Sequence, residues 1–401
     1  MAAMRRSSES IVVLLAYLTF IGLGLTSGLL GLAWPSIQAE FNMPLDAAGW
    51  VLVAGTVGYL SASFITGQLS FRLGSGPMFL LGALLAMAGL FGFAGSPVWL
   101  VLIVSWLVNG FGTGLVDAGL NSYVAAHYNA RSMNWLHACF GIGVTIAPLI
   151  MTAILNVEQS WRWGYAIVGG FMLLILIGYA ATLRRWKRLP VRASATQTVR
   201  RVTITQTLRL PMTWIGILIF FLYTGLEATP GQWGYPLFTD VRGVAQADAG
   251  LWISVYWGSF TIGRLFFGAM ANRLDQNVVL RWCLVGTVFG ALLWWWNPIN
   301  EVGFAGLTLF GFAQAPLFPV WILKTAERVG AVHASNAIGF QVAGAGLGVA
   351  VLPSIAGILA NQTSLEIIPP LVLGAAVVML LLNEYIALRT ARMRVAAPAN
   401  P

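Results

Sequence analysis

The chain has 401 residues, 58% of them hydrophobic and only 9% charged, whereas soluble domains carry roughly 25% charged residues to solvate their surface. With a mean hydropathy of +0.80 and apolar runs recurring from end to end, most of the chain must be solvated by lipid. This excludes a disordered protein, a disulfide-stapled secreted module and a β-barrel of short alternating strands. A net charge of +9 would point to nucleic acid in a soluble chain, but basic residues have a simpler use at a membrane face, and nucleic acid is not among the expected partners.

Apolar stretches bounded by Pro, Gly or charge predict an all-α membrane protein of twelve spans. The first six run over Ile11–Trp34, Ala47–Leu69, Met78–Ala94, Val98–Val124, Met133–Leu155 and Trp163–Leu183. The second six run over Met212–Phe238, Ala249–Met270, Val278–Trp296, Val302–Leu323, His333–Ala360 and Ile367–Leu388. The first span follows Arg5 and Arg6, yet its apolar stretch is too long for a signal peptide and is kept as a span. One polar, basic stretch separates the halves. The expected organisation is an N-terminal six-helix bundle over 1–183, a basic cytoplasmic linker over 184–209 and a C-terminal six-helix bundle over 210–401.

Basic residues set the orientation. Of 22 Lys and Arg, 19 fall in the termini, the central stretch and the alternate loops and span ends that include Arg72, Arg131, Arg273, Arg281, Lys324 and Arg328. The opposite set holds Arg162 and Arg242, and Arg264 lies inside a span. The positive-inside rule therefore places both termini and the linker in the cytoplasm, in what is expected to be a bacterial inner membrane. The outer loops carry Glu40, Asp46, Glu158, Asp240, Asp248, Glu301 and Glu366. Cys139 and Cys283 fall at cytoplasmic helix ends, where a disulfide is not expected, and no spacing suggests a metal site or a cofactor. The Trp294–Trp296 run is expected to be an interfacial aromatic belt.

The halves repeat. A shift of 201 residues aligns Trp34-Pro35 with Tyr235-Pro236, Gly67 with Gly268 and Gly110 with Gly311. A duplicated six-helix unit of parallel orientation resembles the major facilitator architecture. That superfamily's G-x-L-x-D-R-x-G-R-R marker is similar to Gly67-Gln68-Leu69-Ser70-Phe71-Arg72-Leu73-Gly74-Ser75-Gly76, with Phe71 in place of the Asp. The second half reads Gly268-Ala269-Met270-Ala271-Asn272-Arg273-Leu274-Asp275, again without an acid at that place. Three further stretches resemble the fucose permease-like group of sugar symporters. Gly112-Thr113-Gly114-Leu115-Val116-Asp117-Ala118-Gly119-Leu120-Asn121 is similar to its G-x-G-x-x-[DE]-x-x-x-N. Asn134-Trp135-Leu136-His137-Ala138-Cys139-Phe140-Gly141-Ile142-Gly143 is similar to its N-x-L-H-x-x-F-G-x-G, and Ile262-Gly263-Arg264-Leu265-Phe266-Phe267-Gly268 to its I-G-R-x-x-x-G. The acid that the fucose permease carries before the proline of helix 1 is absent, its place being near Gly31. The resemblance implies that spans 1, 4, 7 and 10 line the pathway, and that Arg72 and Arg273 serve gating.

A charge at the bilayer centre costs about 2.5 to 3.5 kcal/mol even on lenient insertion scales, so ionisable groups inside spans mark cavities or partners. Asp117, Glu227, Arg264 and, toward the cytoplasmic end of its span, His137 are such groups. Asp117 and Asn121 are i and i+4, and Gly110 and Gly114 continue the same face, so one stripe of span 4 is polar and small. Two roles stay open for Asp117: a carboxylate that takes up protons, or a partner of Arg264 in a gating ion pair. Glu227 lies near the middle of span 7, and Pro230-Gly231 predicts a helix break one turn beyond it, followed by Gln232 and Trp233. An acid, an amide and an indole at such a break suit a hydroxylated solute, and Glu227 is expected to serve proton coupling as well as solute binding; a tolerated kink with an interfacial Trp is the plain alternative. His137 is either a proton relay or a packing hydrogen-bonder. Asn121, Gln314 and Gln341, together with Glu227, Gln232 and Trp233, make up the candidate solute site, with Asn336 as a further polar candidate.

The leading expectation is a secondary active transporter, acting as a monomer in the bilayer, that moves a small polar solute such as a sugar by alternating access with proton symport. A proton-antiport exporter of drugs or metabolites is the rival. Its G-x-x-x-G-P-x-x-G-G signature is incomplete in Gly143-Val144-Thr145-Ile146-Ala147-Pro148-Leu149-Ile150-Met151-Thr152. A membrane enzyme or receptor is disfavoured, since no nucleotide loop or soluble catalytic domain appears.

Overall fold

The computed structural model describes residues 2–128, 130–186, 202–270 and 273–396, and every regular element among them is helical. Most of the linker (187–201) and Ala271-Asn272 of the second marker lie outside the described residues. The α-helices are α1 (Ala2–Ser27), α2 (Leu30–Phe41), α3 (Ala48–Leu73), α4 (Ser75–Ala94), α5 (Trp99–His127), α6 (Ala130–Asn156), α7 (Arg162–Thr182) and α8 (Ile204–Leu208). They continue with α9 (Pro211–Pro236), α10 (Gln246–Met270), α11 (Gln276–Trp296), α12 (Asn300–Gln314), α13 (Leu317–Leu323), α14 (Thr325–Val329), α15 (Ala331–Gln362) and α16 (Ile368–Ala396).

Ten spans are long and apolar enough to cross a membrane, and the pair α1–α2, bent by 44° between Ser27 and Leu30, makes an eleventh. The remaining expected span is occupied by α10, whose 25 residues reach about 37 Å at 1.5 Å per residue. Its apolar content is diluted by Trp252, Tyr256, Trp257 and Arg264. Each of the twelve expected spans thus corresponds to a helical segment. The protein is an all-α membrane protein.

The helix break expected at Pro230-Gly231 is not formed. α9 runs unbroken through Pro230-Gly231, and its irregularity comes later, as a π-helical turn over Leu237–Val241. The physical reason is that α15 holds α9 on both sides of the proline. Thr224 Oγ1 donates to Ala345 O at 2.6 Å, and Trp233 Nε1 donates to Pro353 O at 2.8 Å. A single missing N–H is tolerated in a helix so braced. In the tenth span the ladder does end: the Ala315 N–H turns back to Phe312 O, Pro316 has no N–H to give, and α13 starts afresh at Leu317.

Close crossings at glycines build the packing. A Cβ on Gly24 would lie 2.1 Å from Phe140 O, and one on Gly143 2.1 Å from Ile21 O, so α1 and α6 touch backbone to backbone. Gly225 and Gly344, at the same offset of 201 from these two, sit at the crossing of α9 and α15. Contacts gather the described chain into two compact units, the first taking residues through 186 with Gly234–Gly258, the second taking 202–233 and Ser259 onward. Inside the first unit, Ser254 Oγ donates to Thr145 O at 2.6 Å. Cys139 and Cys283 are free. The tryptophan run is not a uniform belt: Trp294 is fully buried, whereas Trp295 and Trp296 are exposed, because successive helix residues point about 100° apart.

Candidate functional site

In the first unit, α3 and α5 are drawn together by glycines on both helices. A Cβ on Gly110 would meet Gly55 O at 2.1 Å, and one on Gly114 would meet Tyr59 O at 2.5 Å. This approach brings the Tyr59 hydroxyl to Asp117, to whose Oδ2 it donates a hydrogen bond. Asn121 Nδ2 donates to Asp117 Oδ1 at 3.0 Å and to the Asp117 backbone oxygen at 3.0 Å. Ser63 Oγ in turn donates to Tyr59 O at 2.8 Å. The stripe read from span 4 is therefore the face that meets α3, and Asp117 is held by neutral donors. Tyr59 was missed in the sequence, although the Gly55 and Gly58 pair just ahead of it, packed on α5 against Gly110 and against Leu107 and Phe111, is a signal that could have found it.

In the second unit, Tyr223 and Glu227 are i and i+4 on α9, and Arg264 comes from α10. Glu227 faces Arg264 as its charge partner. The Tyr223 hydroxyl neighbours both, without closing a hydrogen bond of regular geometry. The Arg264 guanidinium lies 4.3 Å from the centre of the Phe260 ring, a distance at which the ring face attracts the cation. The helix break of the tenth span borders this cluster. Gly263, next to Arg264, lies where a Cβ would be 2.6 Å from Ala315 Cβ and 2.8 Å from Phe312 O, and the Phe318 ring packs 5.8 Å from that of Tyr223. Tyr223 too was missed, its only signal being the i, i+4 spacing to an intramembrane acid.

The other expected site residues fall into distinct settings. Gln314 is fully buried at the end of α12, and among the described residues neither its Oε1 nor its Nε2 has a hydrogen-bond partner; Gln232 Nε2 is likewise buried without one. Trp233 is fully buried, its N–H committed to Pro353 O and its ring against Gly357. Gln341 Oε1 accepts from Thr325 Oγ1 at 2.9 Å, and the Gln341 side chain fills the space beside Gly216. Asn336 Nδ2 donates to Thr207 Oγ1 and Val202 O, tying the end of the linker to α15. His137 is exposed, with its ring edge-on to Phe20 at 5.7 Å. Arg72 is exposed in the last turn of α3, where it complements the helix dipole, and Arg273 is exposed after α10. Among the described residues, no group of three or more His, Cys, Asp and Glu is placed to hold a metal ion.

A helical membrane fold with a carboxylate cluster inside each of two units holds ionisable groups within its spans, as the solute and ion pathways of secondary transporters do. The profile described as Major Facilitator Superfamily matches residues 16–243 and 234–399, and the chain belongs to that superfamily. It is 24% identical to the human sodium-dependent glucose transporter 1 over 386 residues, covering 86% of this chain and 72% of that one. It is 23% identical to the glucose/mannose transporter GlcP of Bacillus subtilis (strain 168), covering 88% of each. Among solved structures, the D-xylose-proton symporter superposes with a TM-score of 0.73 at 16% identity, covering 92% of this chain and 96% of that one. The superfamily transporter FucP in its outward conformation superposes with a TM-score of 0.64 at 16% identity, covering 94% and 98%. At such identities the two structures share the fold of this chain.

Proposed function

We propose that the protein couples proton entry to the uptake of a sugar across a bacterial inner membrane, as a monomer that leaves its solute chemically unchanged. The observation that carries this reading is the contrast in charge around the two carboxylates. Asp117 has neutral donors around it, so a proton is the simplest species that can cancel its charge when the site is shut off from water. Glu227 shares its cluster with Arg264, so the pair is neutral as it stands. It offers a carboxylate acceptor and several N–H donors to hydroxyl groups of a solute. Asn121, Gln232 and Gln314 extend the set of amides available to such a solute. The sugars in the names of the relatives from human and Bacillus subtilis support the same class.

The cytoplasmic placement of both termini is supported by the basic residues, and also by the fate of the two on the opposite side. Arg162 is ion-paired with Glu40 at 2.6 Å and donates to the carbonyls of Ala94 and Ser96, while Arg242 stacks over Phe238 at 5.5 Å. Sodium coupling is the second reading, favoured by the human relative's name.

The test is solute uptake in proteoliposomes. With one proton per solute, an inward gradient of one pH unit supports up to about tenfold accumulation. Asp117→Asn is expected to abolish that accumulation while exchange of solute persists, because the amide keeps shape and hydrogen bonding but cannot titrate. Accumulation that follows Na+ and ignores pH would replace the proton reading with the sodium one. Accumulation retained in Asp117→Asn would remove Asp117 from coupling.

A further inference from the structure

The tenth span carries a buried amide with no hydrogen-bond partner among the described residues. Gln314 is 0% exposed, and among the described residues both ends of its amide lack partners. Leaving a buried donor and a buried acceptor unmade is costly, so natural chains pair such groups or fill the gap with something that can bond. Its sequence neighbours are Ala313, Ala315 and Pro316, which offer no polar side chain. Gln314 also stands at the one place in the tenth span where the backbone ladder stops, with the Ala315 N–H turned to Phe312 O and Pro316 unable to donate. Gly263 presses α10 against Ala315, and Phe318 packs on Tyr223, so the break borders the Tyr223, Glu227 and Arg264 cluster. A buried amide unpaired at both ends therefore needs a reason.

We propose that Gln314 is the specificity-determining residue of the solute site, and that its amide reads a pair of hydroxyls on adjacent carbons. This deepens the solute-binding reading above and rests on it. The amide presents one acceptor and one donor side by side. A vicinal diol answers with one hydroxyl that donates to Oε1 and one that accepts from Nε2. A solute with an isolated hydroxyl satisfies one end and leaves the other stranded, and a carboxylate or ammonium matches only half of the amide. The chain closes over Gln314 in this structure, as a carrier must close over its solute at one stage of its cycle, and the diol reaches the amide when the helix parts at Ala315-Pro316.

The test uses D-glucose and its 1-, 2-, 3-, 4- and 6-deoxy analogues as competitors of glucose exchange in proteoliposomes of the full chain, wild type against Gln314→Leu and Gln314→Glu. In wild type, two analogues lacking neighbouring hydroxyls should bind tenfold or more weaker than glucose, the scale of a stranded buried partner. In Gln314→Leu, glucose should fall to the level of those two analogues, and they should lose nothing further. Gln314→Glu, which keeps an acceptor and loses the donor, should retain discrimination against one of the two. The unliganded Gln314→Leu protein should melt at the same temperature as wild type or higher, because two unpaired buried atoms are gone. A deoxy profile identical in wild type and Gln314→Leu overturns the proposal, and a large loss of thermal stability with that profile intact marks the amide as packing only. If wild type exchanges none of these hexoses, the sugar reading itself fails, a result separable from any effect of the variants.

Discussion

Asp117 and Glu227 are both carboxylates on long membrane helices, one in each unit, yet their surroundings solve the cost of burial in different ways. Around Asp117 the helices close on each other through Gly55, Gly110 and Gly114, and the carboxylate meets a phenol and an amide. Around Glu227 the neighbour is a guanidinium held by an aromatic face, with a second tyrosine between. The 201-residue offset maps Asp117 onto Phe318 and Arg264 onto Ser63, so the two clusters are not copies of each other. The α1–α6 and α9–α15 crossings share glycines at that offset, whereas the charged groups were placed independently in the two halves.

That contrast is easiest to break from the charged side. Arg264→Ala should strand Glu227 and destabilise the protein by about 3–5 kcal/mol, the range for a buried pair missing one partner. Adding Glu227→Gln should recover much of the loss, as read by thermal melting in detergent. No recovery in the double variant would mean that Arg264 acts through Phe260 packing and not through charge. Trp233→Ala probes the brace beside this cluster and should cost up to about 3–5 kcal/mol, through the cavity and the freed Pro353 carbonyl. Equal melting of that variant and wild type would overturn the bracing account of the unbroken α9.

On the neutral side, Tyr59→Phe removes one donor to a carboxylate and should cost about 1.5–3 kcal/mol while altering the pH profile of uptake. Asp117→Asn, which lets Tyr59 keep an acceptor, should melt within about 1 kcal/mol of wild type even as accumulation is lost. A melting loss as large as that of Arg264→Ala would erase the distinction between the clusters.

The smallest effect is expected outside the membrane, at Asp275. Its carboxylate caps α11 by accepting from the backbone N–H groups of Asn277 and Val278, which hold it below the usual carboxylate range. A depressed folded value means that the cap stabilises above the unfolded value near pH 3.9 and fades as pH falls through the folded one. Asp275→Ala should therefore lower the melting temperature slightly at pH 7, and the difference from wild type should shrink in acid. A difference that grows in acid would contradict the assigned cap.

The amino-acid sequence by itself determined the solvent, the helical class, the spans and the residues worth watching, because lipid leaves only one way to satisfy a long apolar backbone and makes each buried charge conspicuous. Its periodicities also pointed to the face of span 4 that carries Asp117 and Asn121. What remained was decided by tertiary packing. Pro230 reads like a break and is not one, since Thr224 and Trp233 fasten its helix to α15, whereas Pro316 does break its helix beside Gly263. Arg264, read as a gating counter-ion for Asp117, lies with Glu227 and Tyr223, and the phenol of Tyr59 comes to Asp117 from a helix more than fifty residues away in the chain. Pattern along a chain reports which face of a helix is polar, but the partner across that face depends on where two backbones can approach, and only the packed glycines decide that.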